Sequence, residues 1–578
     1  MCGISALVSK KGQISEGQLS HMSDALKHRG PDDSGFFVSS DRRLGLAHRR
    51  LSLVDLSERG KQPMTKHGRT ITFNGEIYNF RQINKELKEK GYIFTSHSDT
   101  ETILSAFEEW GIECLKKFNG AFAFILHDHV TGEVYAVRDR IGEKPLYFTE
   151  TDKYFIFASE IKAIRKISGV NLQPDIDTIR MNFIFHFWSD KERTYFKNVF
   201  SLSPGTYMRI RKNHPEVRRY WDIQDLNTDF SGDIDTYTRE IYELLEDAVQ
   251  LRLSADCKVG SLLSGGIDSS LITAIAAKRS TSPLQCFTLC VKNTPDEDSA
   301  NAKELLKVLD NARGIEVEIS KEIFSEENLD RLTLHLEEVV LNRISLYVNT
   351  NYAGVKKLGL KTVLNGQGSD EISLGYYHYY NFLQNTQNEF EYDNFVRFWL
   401  EQFSLKRFMD SRMIIDLIQK NLQKNYLPYV QEDVLNSVSA FGIKTHLLNI
   451  LNHEDRFSMA EGVECRTVFT DYRIIEKFMT IPSKYKILDS REKYLIRKLS
   501  ENILPKTITT RKKMGFPDFS QDYESALVSR IMSRPSFWKS ELINQVFNST
   551  IFPHIGSLPS VLQWKLAALH SFERVFLN

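Results

Sequence analysis

Two separate stretches of this sequence carry residue types that do chemistry only in company. The first is Met1-Cys2-Gly3. Loss of the initiator Met would leave Cys2 with a sulfur nucleophile and, on the same residue, an α-amine whose ordinary pKa of about 8 suits a base near neutrality. Asn74-Gly75-Glu76 follows a β-like run at 70–73, and an Asn amide beside a Gly N–H can form an oxyanion hole. Arg50, in His48-Arg49-Arg50-Leu51-Ser52, could hold an α-carboxylate through a bidentate fork, and Asp99 could hold an α-ammonium. Together they describe a pocket for a free amino acid with a cleavable side-chain amide. The second stretch is Ser264-Gly265-Gly266-Ile267-Asp268-Ser269-Ser270, between a predicted strand and a predicted helix. Two glycines allow a tight turn, and helix N-terminal amides with two hydroxyls supply donors, which makes a phosphate cradle. Asp268 facing a phosphate calls for Mg²⁺ between them. Asn365-Gly366-Gln367-Gly368-Ser369-Asp370-Glu371 follows another predicted strand and would bring Asp370 to the same sheet edge. Each stretch has a plainer alternative: charged groups solvated at the surface, and a Gly-Ser turn that only caps a helix.

The elements that must position these residues fall into two textures. Residues 1–213 are rich in short β-like runs, at 4–8, 122–126, 134–137 and 154–158, with helices expected at 81–90 and 100–110, which reads as antiparallel sheets with packed helices. Turn formers accumulate and apolar content falls within a linker placed at 214–236. From 237 to 578 an amphipathic helix (Ile241, Leu244, Leu245, Ala248, Val249) leads into strands at 259–263, 284–291, 314–319 and 361–365 separated by helices, the signature of a parallel sheet, and beyond about 380 the pattern is mostly helical.

Composition sets the bounds. The chain has 578 residues, more than one core usually organises. Its 75 Lys plus Arg balance 75 Asp plus Glu, so no global field recruits nucleic acid or an anionic membrane. Six cysteines (Cys2, Cys114, Cys257, Cys286, Cys290, Cys465) form no C-x-x-C pair, and no window approaches the ~18 apolar residues of a membrane span. A reduced, cytoplasmic setting is expected, with neither secretion nor insertion.

Met1-Cys2-Gly3-Ile4, Arg29-Gly30-Pro31-Asp32, His48-Arg49-Arg50-Leu51-Ser52, Asn74-Gly75-Glu76-Ile77-Tyr78-Asn79 and the stretch from Arg138 to Tyr147 resemble a class II glutamine amidotransferase domain. The Ser-Gly-Gly-Ile-Asp-Ser-Ser loop behind them resembles the pyrophosphatase-type ATP site of glutamine-hydrolysing asparagine synthetases. The resemblance implies an α/β protein: an α+β N-terminal domain of the four-layer αββα Ntn-hydrolase type, then a doubly wound parallel-sheet ATP pyrophosphatase domain with a helical C-terminal part. It implies Cys2 as nucleophile, Asn74 and Gly75 as oxyanion hole, and Arg50, Leu53, Val54, Glu76 and Asp99 around glutamine. ATP would be surrounded by Leu262, Ser264, Gly265, Gly266, Asp268, Ser269, Ser270, Leu289, Asn365 and Gly366, with Asp268 and Asp370 on Mg²⁺. Lys493 would stabilise charge during adenylation. Arg343 would approach the acceptor's second carboxylate, a helix-surface Arg being the alternative. The stretches from Glu454 to Ala460 and from Arg511 to Phe516 fit the family as scaffold around the site and channel. Tyr376, Tyr377, Tyr379 and Tyr380, after the acidic turn, could shape an acceptor pocket, but such aromatics are more often core and are read as mainly structural.

The implied partners are small molecules: glutamine, ATP and a carboxylate, most simply aspartate, with the oligomeric state open and a homodimer among the options. A relative amidating another carboxylate, or a homologue that only binds nucleotide, stay open as alternatives. Three departures bear on the acceptor. Gln367 stands where asparagine synthetases commonly have Glu, a position associated with adenylate formation and proton removal, and an amide cannot take a proton. A Leu-Gly-Thr-x-His-His-Glu stretch is missing near 310–314, and the Arg-Val-Pro-Phe-Leu-Asp motif reads Arg466-Thr467-Val468-Phe469-Thr470-Asp471.

Overall fold

The computed structural model describes residues 1–185, 192–226, 231–291, 296–376, 411–425, 433–489, 491–511, 521–547 and 549–577. Tyr377, Tyr379, Tyr380 and residues 512–516 lie outside them, as do 227–230 of the linker.

The first half builds two six-stranded antiparallel sheets. One runs Phe200–Ser201, Tyr147–Glu150, Tyr154–Ala158, Gly3–Ser9, Leu44–Arg50, Asp33–Val38; the other runs His214–Arg219, Thr206–Arg211, Val134–Arg138, Gly120–Asp128, Arg69–Ile77, Met64–Lys66. The layering follows from side-chain alternation along the strands. Ile4, Ala6 and Val8 meet Ala123 and Ile125 in a core between the sheets. On the opposite face of the first sheet Leu7 and Ala47 pack against Leu19, Met22 and Leu26 of the helical region that begins at Glu16. On that of the second, Phe122, Phe124 and Leu126 pack against Ile83, Leu87, Ile103 and Leu104 of the helices Phe80–Glu89 and Asp99–Trp110. Apolar side chains on both faces of both sheets require four layers, helix–sheet–sheet–helix.

Residues 214–219, placed in the linker by the sequence, form an edge strand instead, paired with Thr206–Arg211. All six are exposed, and an edge defended by Pro215 and charge carries no apolar alternation to betray it.

The second half holds a parallel five-stranded sheet in the order Ala312–Ile319, Leu284–Val291, Val259–Leu262, Thr362–Asn365, Glu464–Thr467. The first of these strands in the chain is central; the next two step to one side and the last two to the other. At that reversal, between Val259–Leu262 and Thr362–Asn365, the loops leaving the strand ends part and open a crevice. The fifth strand is absent from the sequence expectations. Its Glu-Cys-Arg-Thr is fully buried, yet it has no β-branched or aromatic run to mark it.

Candidate active sites

The first site gathers at the start of the Gly3–Ser9 strand. Cys2 is buried, its backbone N–H donates to Asn74 Oδ1 at 2.9 Å, and its carbonyl accepts from Arg29 Nε at 3.0 Å. Burial pushes the Cys2 thiol up, and the positive N-terminus opposes it. Asn74 Nδ2 is buried and has no hydrogen-bond partner among the described residues. An orphaned amide donor costs about 1–3 kcal/mol unless something completes it, and an oxyanion beside Cys2 is what it is placed to complete. A Cβ on Gly75 would come within 2.1 Å of Ala121 O, so the strand Arg69–Ile77 admits only glycine there.

Glu76 and Asp99 converge on the same region: Asp99, in the first turn of its helix, accepts from Ile77 N at 3.0 Å, and burial raises both carboxyls, opposed in Glu76 by the Arg466 guanidinium. Arg50 donates to Ser57 O at 3.1 Å and to Asp55 O, which fixes the 51–57 loop. Leu53 packs with Met1, Leu51 and Met459; Val54 packs against the core under the second sheet. The Met1 ammonium donates to Glu464 Oε2 at 2.9 Å.

The second site is a cavity of about 370 Å³ at the reversal of the parallel sheet. Of the residues expected around ATP, Leu262, Ser264, Gly266, Asp268, Ser269, Leu289, Asn365 and Gly366 line it, with Gln367, Asp370 and Lys493. Gly265 and Ser270 support the turn without lining the cavity: Ser270 N donates to Gly266 O at 3.0 Å. Ser264 and Ser269 hydroxyls meet at 2.9 Å across the turn into the helix Ile267–Arg279, whose first-turn residues Ile267, Asp268 and Ser269 line the cavity. Lys493 Nζ lies 2.5 Å from Asp268 Oδ2 and 2.5 Å from Asp370 Oδ1, and against burial these two carboxylates hold the ammonium above its ordinary range. Two acidic groups that converge on one cation suit a divalent ion, but no cluster of three or more His, Cys, Asp or Glu ligands occurs among the described residues. Phosphate oxygens and water would have to complete its shell.

Arg343 is not in this cavity. It begins the helix Ile344–Lys357 and pairs with Glu524 at 2.8 Å. Tyr376 lines the cavity, its ring 4.8 Å from that of His446. Glu454 and Arg511, read from sequence as scaffold, line it too. Arg511 pairs with Asp298 at 2.5 Å, and Glu454 accepts from Tyr352 Oη at 2.7 Å and from Asn365 Nδ2.

One strand separates the sites. On Glu464–Thr467, Glu464 and Arg466 reach the first site: Glu464 holds the Met1 ammonium, and Arg466 pairs with Glu76 and donates Nε to Glu464 Oε1 at 2.6 Å. Cys465, between them and so on the opposite face, lies 3.7 Å from Glu454 Oε2 in the second site.

A thiol at the start of a four-layer sandwich, backed by a phosphate cradle in a doubly wound sheet, defines a glutamine-hydrolysing amidotransferase fused to an ATP-using synthetase. The comparisons agree: a glutamine amidotransferase domain model matches residues 1–221 and an asparagine synthase model matches residues 240–573. The chain belongs to the glutamine-hydrolysing asparagine synthetase family. It is 30% identical over 551 residues to glutamine-hydrolyzing asparagine synthetase 3 of Bacillus subtilis (89% of this chain, 87% of that one) and 31% identical over 558 residues to asparagine synthetase 2 of the same organism (89% and 72%). It is also 30% identical over 413 residues to amidase chry2 of Gibberella zeae (65% and 59%). No described helix is long and apolar enough to cross a membrane.

Proposed function

We propose that this chain makes asparagine from aspartate in the cytoplasm, with glutamine as nitrogen donor and ATP as activator. After Met1 is removed, Cys2 attacks the glutamine side-chain amide while its α-amine takes the thiol proton and passes it to the departing nitrogen. Asn74 Nδ2 and the Gly75 N–H stabilise the oxyanion, the C–N bond breaks with ammonia leaving, and water then hydrolyses the γ-glutamyl thioester to glutamate. Arg50, Glu76 and Asp99 orient the amino-acid end of glutamine. In the second site the 264–270 turn and the helix N-terminus hold the phosphates, and Lys493 offsets the charge that develops as an aspartate carboxylate oxygen attacks the α-phosphorus and pyrophosphate departs. Mg²⁺ held by Asp268 and Asp370 would neutralise phosphate charge. Ammonia then attacks the acyl-adenylate. In water at neutral pH it would be mostly protonated, and an enclosed passage between the two sites would keep it reactive.

The observation that carries this reading is the back-to-back placement: Glu464 and Arg466 bond to Met1 and Glu76 on one side of the strand, and Cys465 bonds on the other to Glu454, which lines the second cavity. The test is pyrophosphate release by the purified protein with ATP, Mg²⁺ and glutamine across a panel of carboxylates. Aspartate-dependent release with asparagine formation is expected; release only with another acid would replace aspartate as acceptor, and none with any acid would overturn the synthetase reading. Cys2→Ala should lose glutamine use and keep ammonia use.

A further inference from the structure

The attack of ammonia on an acyl-adenylate leaves a positively charged nitrogen that must shed a proton, and Gln367 cannot take it. Other carboxylates lining the cavity are engaged. Asp268 and Asp370 are bound to Lys493, Asp298 is bound to Arg511, and Asp296 uses both oxygens on Ser299 to cap a helix. Glu454 differs. It is 7% exposed, and its Oε2 accepts from three neutral groups: Tyr352 Oη at 2.7 Å, Asn365 Nδ2 and Cys465 Sγ at 3.7 Å. Oε1 has no hydrogen bond among the described residues, so the carboxylate is anchored by one oxygen with the other to spare. Burial pushes its carboxyl up, which strengthens it as a proton acceptor. It also lies on the side of the cavity nearest the first site, since Cys465, on the strand between the two sites, turns its sulfur to Glu454.

We propose that Glu454, oriented by Tyr352, is the general base of amide formation in this chain, in the role that Gln367 cannot fill. The ammonia lone pair forms the C–N bond to the acyl carbon, the bond from that carbon to the adenylate oxygen breaks with AMP leaving, and one nitrogen proton passes to the Glu454 carboxylate. This rests on the proposed synthetase function.

The test separates the half reactions. Exchange of labelled pyrophosphate into ATP, with the carboxylate that the wild type adenylates and no nitrogen donor, reports adenylation; amide formation from ammonia reports the whole. Glu454→Gln should lower amide formation by about 10²–10⁴-fold and exchange by less than about threefold. Hydroxylamine, whose protonated form is a far stronger acid than ammonium, should recover most of the loss. Tyr352→Phe should slow amide formation by about tenfold with exchange intact, and decides the matter if Glu454→Gln does not fold. Near wild-type amide formation in these variants, or parallel loss of exchange, would overturn the proposal alone. A wild type that adenylates no carboxylate would overturn the proposed function and this inference with it.

Discussion

Asn74 spends its two polar ends differently. Its oxygen is committed to Cys2 N, while its Nδ2 is buried without a partner among the described residues. If that donor is reserved for the oxyanion, Asn74→Ala should cut kcat for glutamine hydrolysis by about 10²–10³-fold with a smaller change in KM, and leave ammonia-dependent synthesis unaffected. Steady-state glutamate release checks it, and an equal loss with ammonia would mean that the substitution acts through the fold. The nucleotide site has its own single-atom probe. A Cβ on Gly375 would lie 2.0 Å from Asp370 Oδ1 and 2.3 Å from Lys493 Cε, both parts of the charge cluster that lines the second cavity. Gly375→Ala should therefore abolish pyrophosphate release and spare glutaminase activity; retained release would show that the cluster can shift. Cys2, Asn74 and the 264–270 turn were legible because each is contiguous, with its chemistry carried by local residue types. Glu454 was not, because its partners Tyr352, Asn365 and Cys465 come from three other elements and only the fold assembles them.

Among the elements, Glu464–Thr467 has most to do with both sites, and it was the strand the sequence concealed. An edge strand buried on both faces normally reads as an apolar run. Here charged side chains fill one face because they meet the amidotransferase domain rather than solvent. Arg466 holds Glu76 and Glu464 and donates to Arg252 O at 2.7 Å. Against burial, the Met1 ammonium and Arg466 hold Glu464 well below the ordinary carboxyl range. Removing the guanidinium takes from buried Glu76 its charge partner, a loss of about 3–5 kcal/mol for a buried pair, while Glu464 keeps the Met1 ammonium. Arg466→Met should thus lower the denaturation midpoint and raise KM for glutamine, through Glu76, more than it raises KM for ammonia. Chemical denaturation with both KM values checks it; unchanged stability would mean that water replaces the guanidinium.

At the scale of the whole molecule, a net charge of zero conceals where the charges are. Arg29, Arg252, Arg456 and Arg466 are among the largest fully buried side chains, and several of their partners lie in the other half of the chain: Arg29 with Asp455 at 2.8 Å, Arg456 with Glu160 at 3.1 Å, Arg466 with Glu76. The halves are joined by buried ion pairs as well as by apolar contact, which no count of residue types could show. Asp471 makes this testable by acid. Its Oδ2 accepts from Asn119 Nδ2 of the amidotransferase half at 2.9 Å, from Arg252 at 3.1 Å and from Arg473 at 2.9 Å. Against burial, the Arg252 and Arg473 guanidiniums hold it down at about 2, from an ordinary 3.8. A carboxyl with a depressed folded pKa stabilises fully above its unfolded pKa, and that contribution, about 2 kcal/mol here, is lost as pH falls through the folded value. Asp471→Asn mimics the protonated group. The stability gap between wild type and Asp471→Asn should therefore be constant above about pH 5 and narrow steadily as the pH falls from about 4 to about 2, read from denaturation midpoints at each pH. A gap that stays constant across that window would mean that Asp471 binds its proton equally well folded and unfolded, and that the junction does not depend on its charge.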